Sequence, residues 1–262
     1  MRFLIHFSYD GSLFHGYQTQ PGYRTVQEEL ENAATKINNG VRVKVVASGR
    51  TDKKVHAYHQ VAHLDINVSI SPKQVKRAMN RYLPCDIHVF EAAEVDSDFH
   101  ARYNVISKTY EYHLNMGEYN PIRRDYCYQH NYKLDIEAMK KAITYFIGTH
   151  DFRAFVTENS VKDNCIRTIT NASITLDDYY KDEIIFTFEG NGFLRYQVRN
   201  MVGLLIKVGT GKIDYKLVKE ILDSKVRGKY GATAKAEGLY LKNIVLRSWQ
   251  INRIWYNFNR YI

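Results

Sequence analysis

Residues 41–66 of the 262-residue chain read VRVKVVASGRTDKKVHAYHQVAHLDI. The spacing of apolar residues predicts two strands, 41–46 and 55–66, and the polar residues between them predict a loop. Loops between strands are where functional side chains concentrate. The acid of this loop is Asp52, and Arg50 and two lysines beside it favour its ionised form. An ionised carboxylate in this setting suits a nucleophile or a base, and an aspartate that only caps a tight turn is the alternative.

The first half of the chain adds two strands and two helices around this loop. Alternating apolar residues predict the first strand, and the sequence Thr25-Val26-Gln27-Glu28 has the spacing of a capping box that opens a helix. Ser71-Pro72 opens a second helix, because proline suits the first helical turn. The predicted elements are strands 3–9 and 87–95 and helices 25–37 and 71–82.

The second half repeats this mixture of strands and helices without a low-complexity linker. Its predicted elements are strands 106–116, 172–176, 183–189 and 238–246 and helices 134–147, 193–208 and 214–222. The two halves meet near residues 102–108. The pattern therefore predicts an α+β protein of two mixed α/β domains, residues 1–104 and 105–262, whose similar outline suggests an old duplication.

Composition narrows the function classes. Lysine and arginine total 37 against 28 acidic residues, a formal net charge of +9, and the chain has 21 tyrosines. Basic and aromatic residues together are typical of RNA-binding faces, although a soluble enzyme of basic pI and tyrosines that pack in sheets are the alternatives. Three isolated cysteines and no CxxC pair argue against a disulfide framework or a zinc ribbon and favour the cytoplasm. The longest aliphatic run, residues 202–206, is too short to span a bilayer, and the N-terminus lacks a secretory h-region.

Other polar residues could carry chemistry. Tyr110 and Tyr112 alternate on one strand face with Lys108, as either a buried pair or a base-stacking platform. Arg199 interrupts an apolar helix near its buried face, where an arginine needs an anionic partner. Three histidines (His56, His59 and His63) invite a metal site, but no cysteine or second cluster completes one.

Eight short motifs together resemble the TruA family of tRNA pseudouridine synthases. They follow one another in the family's order along nearly the whole chain, and the ordered set is far more specific than any one motif. They are YDGSLFHGYQTQ from Tyr9, TVQ from Thr25, GRTDK from Gly49, FHAR from Phe99, KTYEY from Lys108, HDF from His150, the stretch from Phe193-Leu194 to VRNMVG at 198–203, and GLYL from Gly238.

The resemblance implies a pseudouridine synthase fold, with largely antiparallel sheets that flank a basic, RNA-binding catalytic cleft. It also implies conversion of uridine to pseudouridine at positions 38, 39 and 40 of the tRNA anticodon stem-loop, by a cytoplasmic homodimer without a cofactor, a metal or a membrane partner. On the matching positions, Asp52 is the catalytic aspartate, and Arg50 helps expose the target base. Tyr110 packs on the uracil, Arg199 pairs with the aspartate, and Leu239 lines the pocket.

The sequence departs from the family pattern at two positions. Lys54 stands where the family usually has glycine, which would restrict the backbone if φ is positive there. Tyr17 stands where tryptophan is common. A non-catalytic RNA-binding protein that keeps the fold is the main alternative to the isomerase, and a metal hydrolase that uses the histidines is a weaker one.

Overall fold

The first half of the chain forms four strands and two helices. The structure is a computed structural model that describes residues 1–156, 164–226, 228 and 231–247. The elements are β1 (Arg2–Tyr9), α1 (Val26–Ile37), β2 (Val45–Ala47), β3 (His56–Asp65), α2 (Pro72–Tyr82) and β4 (Ile87–Val95).

The second half contributes six strands and three helices among the described residues. They are β5 (Val105–Asn115), β6 (Tyr128–Gln129), α3 (Ile136–Ile143), β7 (Gly148–Asp151), β8 (Ile166–Leu176), β9 (Glu183–Gly190), α4 (Gln197–Gly209), α5 (Leu217–Ser224) and β10 (Leu239–Leu246). Short 3₁₀ turns follow α3 and β7 and precede β10.

All ten strands belong to one sheet with the order β4-β1-β3-β10-β5-β9-β8-β7, with β2 paired to β3 and β6 paired to β5. Among the described strands, only β3–β10 and β5–β6 pair in parallel. The last strand therefore lies between the two halves, with Tyr240 opposite His56. The predicted α+β class with a largely antiparallel sheet is confirmed. The division at residue 104 stays a prediction, and the last part of the predicted second domain, 248–262, lies outside the described residues.

Helices cover the sheet through apolar faces. Val26, Leu30 and Ala34 of α1 are buried, as their helical spacing predicts. In α2 a capping box is present at Ser71, whose side chain accepts from the backbone N–H of Gln74, while Gln74 accepts from the Ser71 N–H. The helix α4 is buried over most of its surface. None of the described helices is long and apolar enough to cross a bilayer.

Two details of the predicted helix starts are wrong. Thr25 precedes α1, but its hydroxyl is buried without a hydrogen-bond partner among the described residues, so no capping box forms there. The helix predicted from residue 193 begins at Gln197, because Tyr196 adopts a left-handed φ of 63° that interrupts the helical path. The Gln197 side chain accepts a hydrogen bond from the Leu194 N–H over 2.8 Å and fixes this turn.

The remaining boundaries shift at element ends. The predicted strand 41–46 is shorter, 45–47, and the strand predicted at 172–176 begins earlier, at Ile166. The α-helix α3 stops at Ile143 and continues as a 3₁₀ turn to Phe146. Helix ends commonly tighten in this way, and periodicity does not predict where they do.

Candidate active site

The loop between β2 and β3 is held by a second loop, residues 10–17. A Cβ on Gly11 would overlap the Val55 carbonyl oxygen. Gly16 has a φ of +96°, and a Cβ there would lie 3.0 Å from the Thr51 oxygen. The Tyr17 N–H also donates to the Thr51 oxygen over 3.1 Å. Glycine is required at both positions because the two backbones approach so closely.

Asp52 lies on this loop between two arginines from the region where α4 begins. Arg199 Nη1 is 3.5 Å from Asp52 Oδ2, and Arg195 Nε is 3.7 Å from Asp52 Oδ1. Arg199 is 15% exposed, and its Nε donates to the Ala234 oxygen over 2.8 Å. Arg195 is 63% exposed. One arginine is therefore fixed inside the fold, and the other reaches the carboxylate from solvent.

Burial and the neighbouring charges change the pKa of Asp52 in opposite directions. Desolvation is the larger effect and raises the pKa of the carboxyl above its usual value, although the positive charges of Arg199 and Arg195 lower it. The carboxylate is thus less stable than in water. Such a group is more reactive as a nucleophile or base than a solvated aspartate, which is a property of catalytic positions.

Tyr110 is buried near Asp52. It lies on β5 opposite Leu241 and Phe188, and its ring meets the Phe193 ring edge-on at a centroid distance of 5.1 Å. Burial raises the pKa of Tyr110, and the charge of Asp52 raises it further. The hydroxyl is therefore protonated at neutral pH, and no described residue forms a hydrogen bond with it.

The other two predicted site residues occupy different environments. Arg50 is exposed on the loop of Asp52, and no described carboxylate pairs with it. Leu239 is 6% exposed at the start of β10, opposite Tyr112 and two residues from Leu241. The structure thus brings Arg199 and Tyr110 to Asp52, keeps Arg50 on the same loop, and places Leu239 on the adjoining strand.

This group also includes Arg195 and Phe193, which were not predicted to belong to it. Both precede α4, and the strained Tyr196 redirects the chain between them and the helix. The guanidinium of Arg195 lies 4.9 Å from the Tyr196 ring centroid, and that of Arg199 lies 5.2 Å from it. The sequence does show two arginines close together in FLRYQVRN, residues 193–200. Helical periodicity placed both within one continuous helix, so their approach to one carboxylate was not predicted.

The three histidines on β3 have other partners. His56 accepts from the Gly11 N–H and contacts the Asp125 oxygen, and the ring nitrogens of His59 lie 2.9 Å from His6 and 2.8 Å from Asn243. His63 accepts from the Ala101 N–H.

Three other side chains lie close enough together to hold a metal ion. Ligand atoms of His113, Asp177 and Glu183 lie within 4.8 Å of one another. The Arg123 guanidinium already contacts both oxygens of Glu183, at 2.7 and 3.2 Å, and supplies the positive charge there.

Comparison with known proteins identifies the family. The model of a tRNA pseudouridine synthase family matches residues 5–104 and 142–245. The chain belongs to this family. The match leaves out residues 105–141, so the place of Tyr110 beside Asp52 rests on the geometry above.

Individual family members cover almost the whole chain. A protein of Limosilactobacillus reuteri (strain DSM 20016) named tRNA pseudouridine synthase A is 44% identical over 93% of this chain and 96% of its own length. A Streptococcus pyogenes serotype M1 protein of the same name is 44% identical over 93% of this chain and 98% of its own. A solved structure titled as a Cbf5-Nop10-Gar1 complex aligns with 14% identity over 78% of this chain and 54% of that chain, at a TM-score of 0.31.

The first departure from the family pattern is at position 54, on the Asp52 loop. Lys54 has a φ of 64°, in the left-handed region that favours glycine. Its Nζ lies 3.7 Å from Asp125 Oδ1. The lysine therefore adopts a strained backbone conformation, and its side chain forms an ion pair with the second half of the chain. Tyr17, the other departure, is 3% exposed, and none of the described residues bonds its buried hydroxyl.

Proposed function

We propose that this chain isomerises uridine to pseudouridine in tRNA, at positions 38, 39 and 40 of the anticodon stem-loop. The observation that carries the proposal is the largely buried carboxylate of Asp52, which faces two arginines and adjoins the buried ring of Tyr110. The family match and the 44% identical relatives named tRNA pseudouridine synthase A support the same reaction. The three positions within the anticodon stem-loop follow from the resemblance of the motifs.

The reaction is a rearrangement whose atoms balance without a cofactor. The C1′–N1 bond breaks, the uracil rotates, a C1′–C5 bond forms, C5 loses its proton and N1 gains one. An ionised Asp52 can start it by attack on C1′ or C6, or by removing the C2′ proton. Arg199 suits the task of holding the carboxylate in place, because its Nε is anchored to the Ala234 carbonyl.

The target base must leave its stack before these atoms are accessible. Arg50 is exposed on the same loop, and its planar guanidinium can stack in the vacated position. Tyr110 and Phe193 offer aromatic surface to the extruded uracil. Leu239 would line the apolar side of the same pocket.

Tritium release from tRNA labelled at C5 of uridine tests the reaction, since C5 loses its hydrogen when the C1′–C5 bond of pseudouridine forms. We expect Asp52→Asn to abolish release while tRNA binding is retained. Asp178→Asn is the matched control, because Asp178 is exposed in the β8–β9 connection. A tenth of wild-type activity in Asp52→Asn would refute the catalytic assignment. Binding without release by the wild-type protein would instead favour the non-catalytic RNA-binding alternative.

Stem-loops with a single uridine at position 38, 39 or 40 test the proposed target positions. Release from each of the three, and none from a stem-loop with its only uridine elsewhere, is the expected result. Release that is independent of uridine position would overturn the anticodon assignment but not the isomerase.

The proposal includes a cytoplasmic homodimer, on the basis of the family resemblance. Light scattering at micromolar concentration should give twice the chain mass of 30.7 kDa. A monomer mass would remove the homodimer from the proposal.

A further inference from the structure

Lys108 is a half-buried cation next to the candidate active site that the proposed reaction does not use. It lies on β5, two residues before Tyr110 and on the same face of the strand. No described carboxylate forms an ion pair with it. Withdrawing an ammonium from water without a counterion is costly, so its contacts need an explanation.

The Lys108 ammonium contacts the backbone of the Asp52 loop. Its Nζ donates to the Ser48 carbonyl oxygen over 2.9 Å. A Cβ added to Gly49 would lie 2.5 Å from Nζ, so the loop passes directly over the ammonium. Gly49 has no positive φ, so a side chain there would not strain the backbone but would displace the Lys108 ammonium.

Other bonds fix the same loop from the first half of the chain. Gln60 of β3 accepts from the Ser48 hydroxyl over 2.7 Å and donates to the Gly49 oxygen over 3.3 Å. On the far side of Arg50, the hydroxyls of Tyr9 and Thr51 are 2.8 Å apart. Of these contacts, only that of Lys108 ties the loop to the strand that carries Tyr110.

We propose that Lys108 is a positioning residue that holds the Asp52 loop in register with Tyr110 through its bond to the Ser48 carbonyl. This inference rests on the proposed function. A bond from one strand fixes the carboxylate and the aromatic ring relative to each other, and a misplacement of about 1 Å can cost about 100-fold in rate.

The ionisation of Lys108 gives this role a pH signature. Burial, and to a smaller extent the charge of the exposed Arg102, lower the pKa of the ammonium to about 8. Above this pH a neutral amine replaces the charged donor and bonds Ser48 more weakly. Catalysis should therefore decline as the pH rises through about 8, for a reason separate from Asp52.

Lys108→Met removes the hydrogen-bond donor but keeps an unbranched side chain of similar length. Lys219→Met, at an exposed position of α5, is the matched control. We would measure single-turnover tritium release and tRNA Kd between pH 6.5 and 9.5, together with Tm. We expect Lys108→Met to lose about 100-fold in rate at pH 7 with tRNA Kd nearly unchanged, and to lose the alkaline decline. Lys219→Met should behave as wild type.

Gly49→Ala is a second variant in case Lys108→Met folds poorly. Its Cβ should push the ammonium from Ser48 while the lysine remains, and it should give the same rate loss. Because both changes break one contact, the double variant should lose little more than either single variant. A full rate in Lys108→Met, an unchanged alkaline decline, or additive losses would overturn the inference. If the wild-type protein releases no tritium, the proposed function fails instead.

Discussion

At the scale of single residues, Asp52 combines a stability cost with a reactive charge. Its raised pKa means that the folded state binds the proton more tightly than the unfolded chain does. The ionised carboxylate therefore destabilises the fold at neutral pH. Below the unfolded pKa of about 3.9 the carboxyl is protonated in both states, and this destabilisation is absent. It grows as the pH rises and reaches its full size once the pH exceeds the folded pKa.

Asp52→Asn should consequently raise the free energy of unfolding at pH 7, although it abolishes activity. The amide has the shape of the carboxylate without the desolvated charge. Urea unfolding of the variant and wild type at pH 7 and at pH 3.5 checks this, and the gain should shrink at the lower pH. A variant less stable than wild type at pH 7 would show that attraction to Arg199 and Arg195 outweighs burial.

Variants of Tyr110 can distinguish base stacking from proton transfer. Its protonated hydroxyl can accept the C5 proton only if it passes its own proton on, and Asp52 is the nearby anion. We expect Tyr110→Phe to lose about 10²–10⁴ in single-turnover rate with tRNA affinity unchanged. If the ring only stacks, Phe should be nearly silent and Tyr110→Ala should be the damaging change. A fully active Tyr110→Ala protein would contradict both roles.

At the scale of elements, the Asp52 loop contains a strained position that tests its backbone geometry. Lys54→Gly and Lys54→Ala both remove the ion pair with Asp125, but only glycine relieves the left-handed φ of 64°. We expect the glycine variant to be more stable than the alanine variant by about 1 kcal/mol, measured by urea unfolding. Equal stability would contradict a positive φ at this position.

The elements also show how far the sequence could predict the site. Strand and helix types followed from periodicity, and the loop of Asp52 from the polar run between two strands. The place of Arg195 did not follow, because a left-handed Tyr196 leaves no mark on apolar spacing. Lys108 was placed on the correct strand face, but its bond to Ser48 depends on the loop backbone, which no residue pattern encodes.

At the scale of the whole molecule, the sheet unites the two halves. The short parallel pairing of β10 with β3 joins strands that are distant in sequence. The antiparallel pairing of β10 with β5 places the strand of Leu239 beside that of Tyr110. Local patterns carry no information on such a pairing, so the residues alone predicted the elements well and their topology poorly. The ordered motifs supplied the missing long-range information.

The charge of the whole molecule also affects how it binds a polyanion such as tRNA, because its formal net charge is +9. Each phosphate contact releases counterions, so tRNA affinity should fall steeply with salt. Arg195 is 63% exposed beside Asp52, where a phosphate of the target nucleotide can compete with the carboxylate for its guanidinium. Arg199 is anchored within the fold and lacks this freedom.

Arg195→Gln should therefore reduce the slope of log affinity against log salt by about one unit, whereas Arg81→Gln, an equal charge change on an exposed part of α2, should leave it unchanged. The measurement is the tRNA Kd of both variants and wild type at several salt concentrations, at fixed pH. A flat wild-type affinity would point to a small-molecule substrate. Equal slopes for Arg195→Gln and wild type would mean that Arg195 stays on Asp52 in the complex, because an ion pair within the protein releases no counterions when tRNA binds.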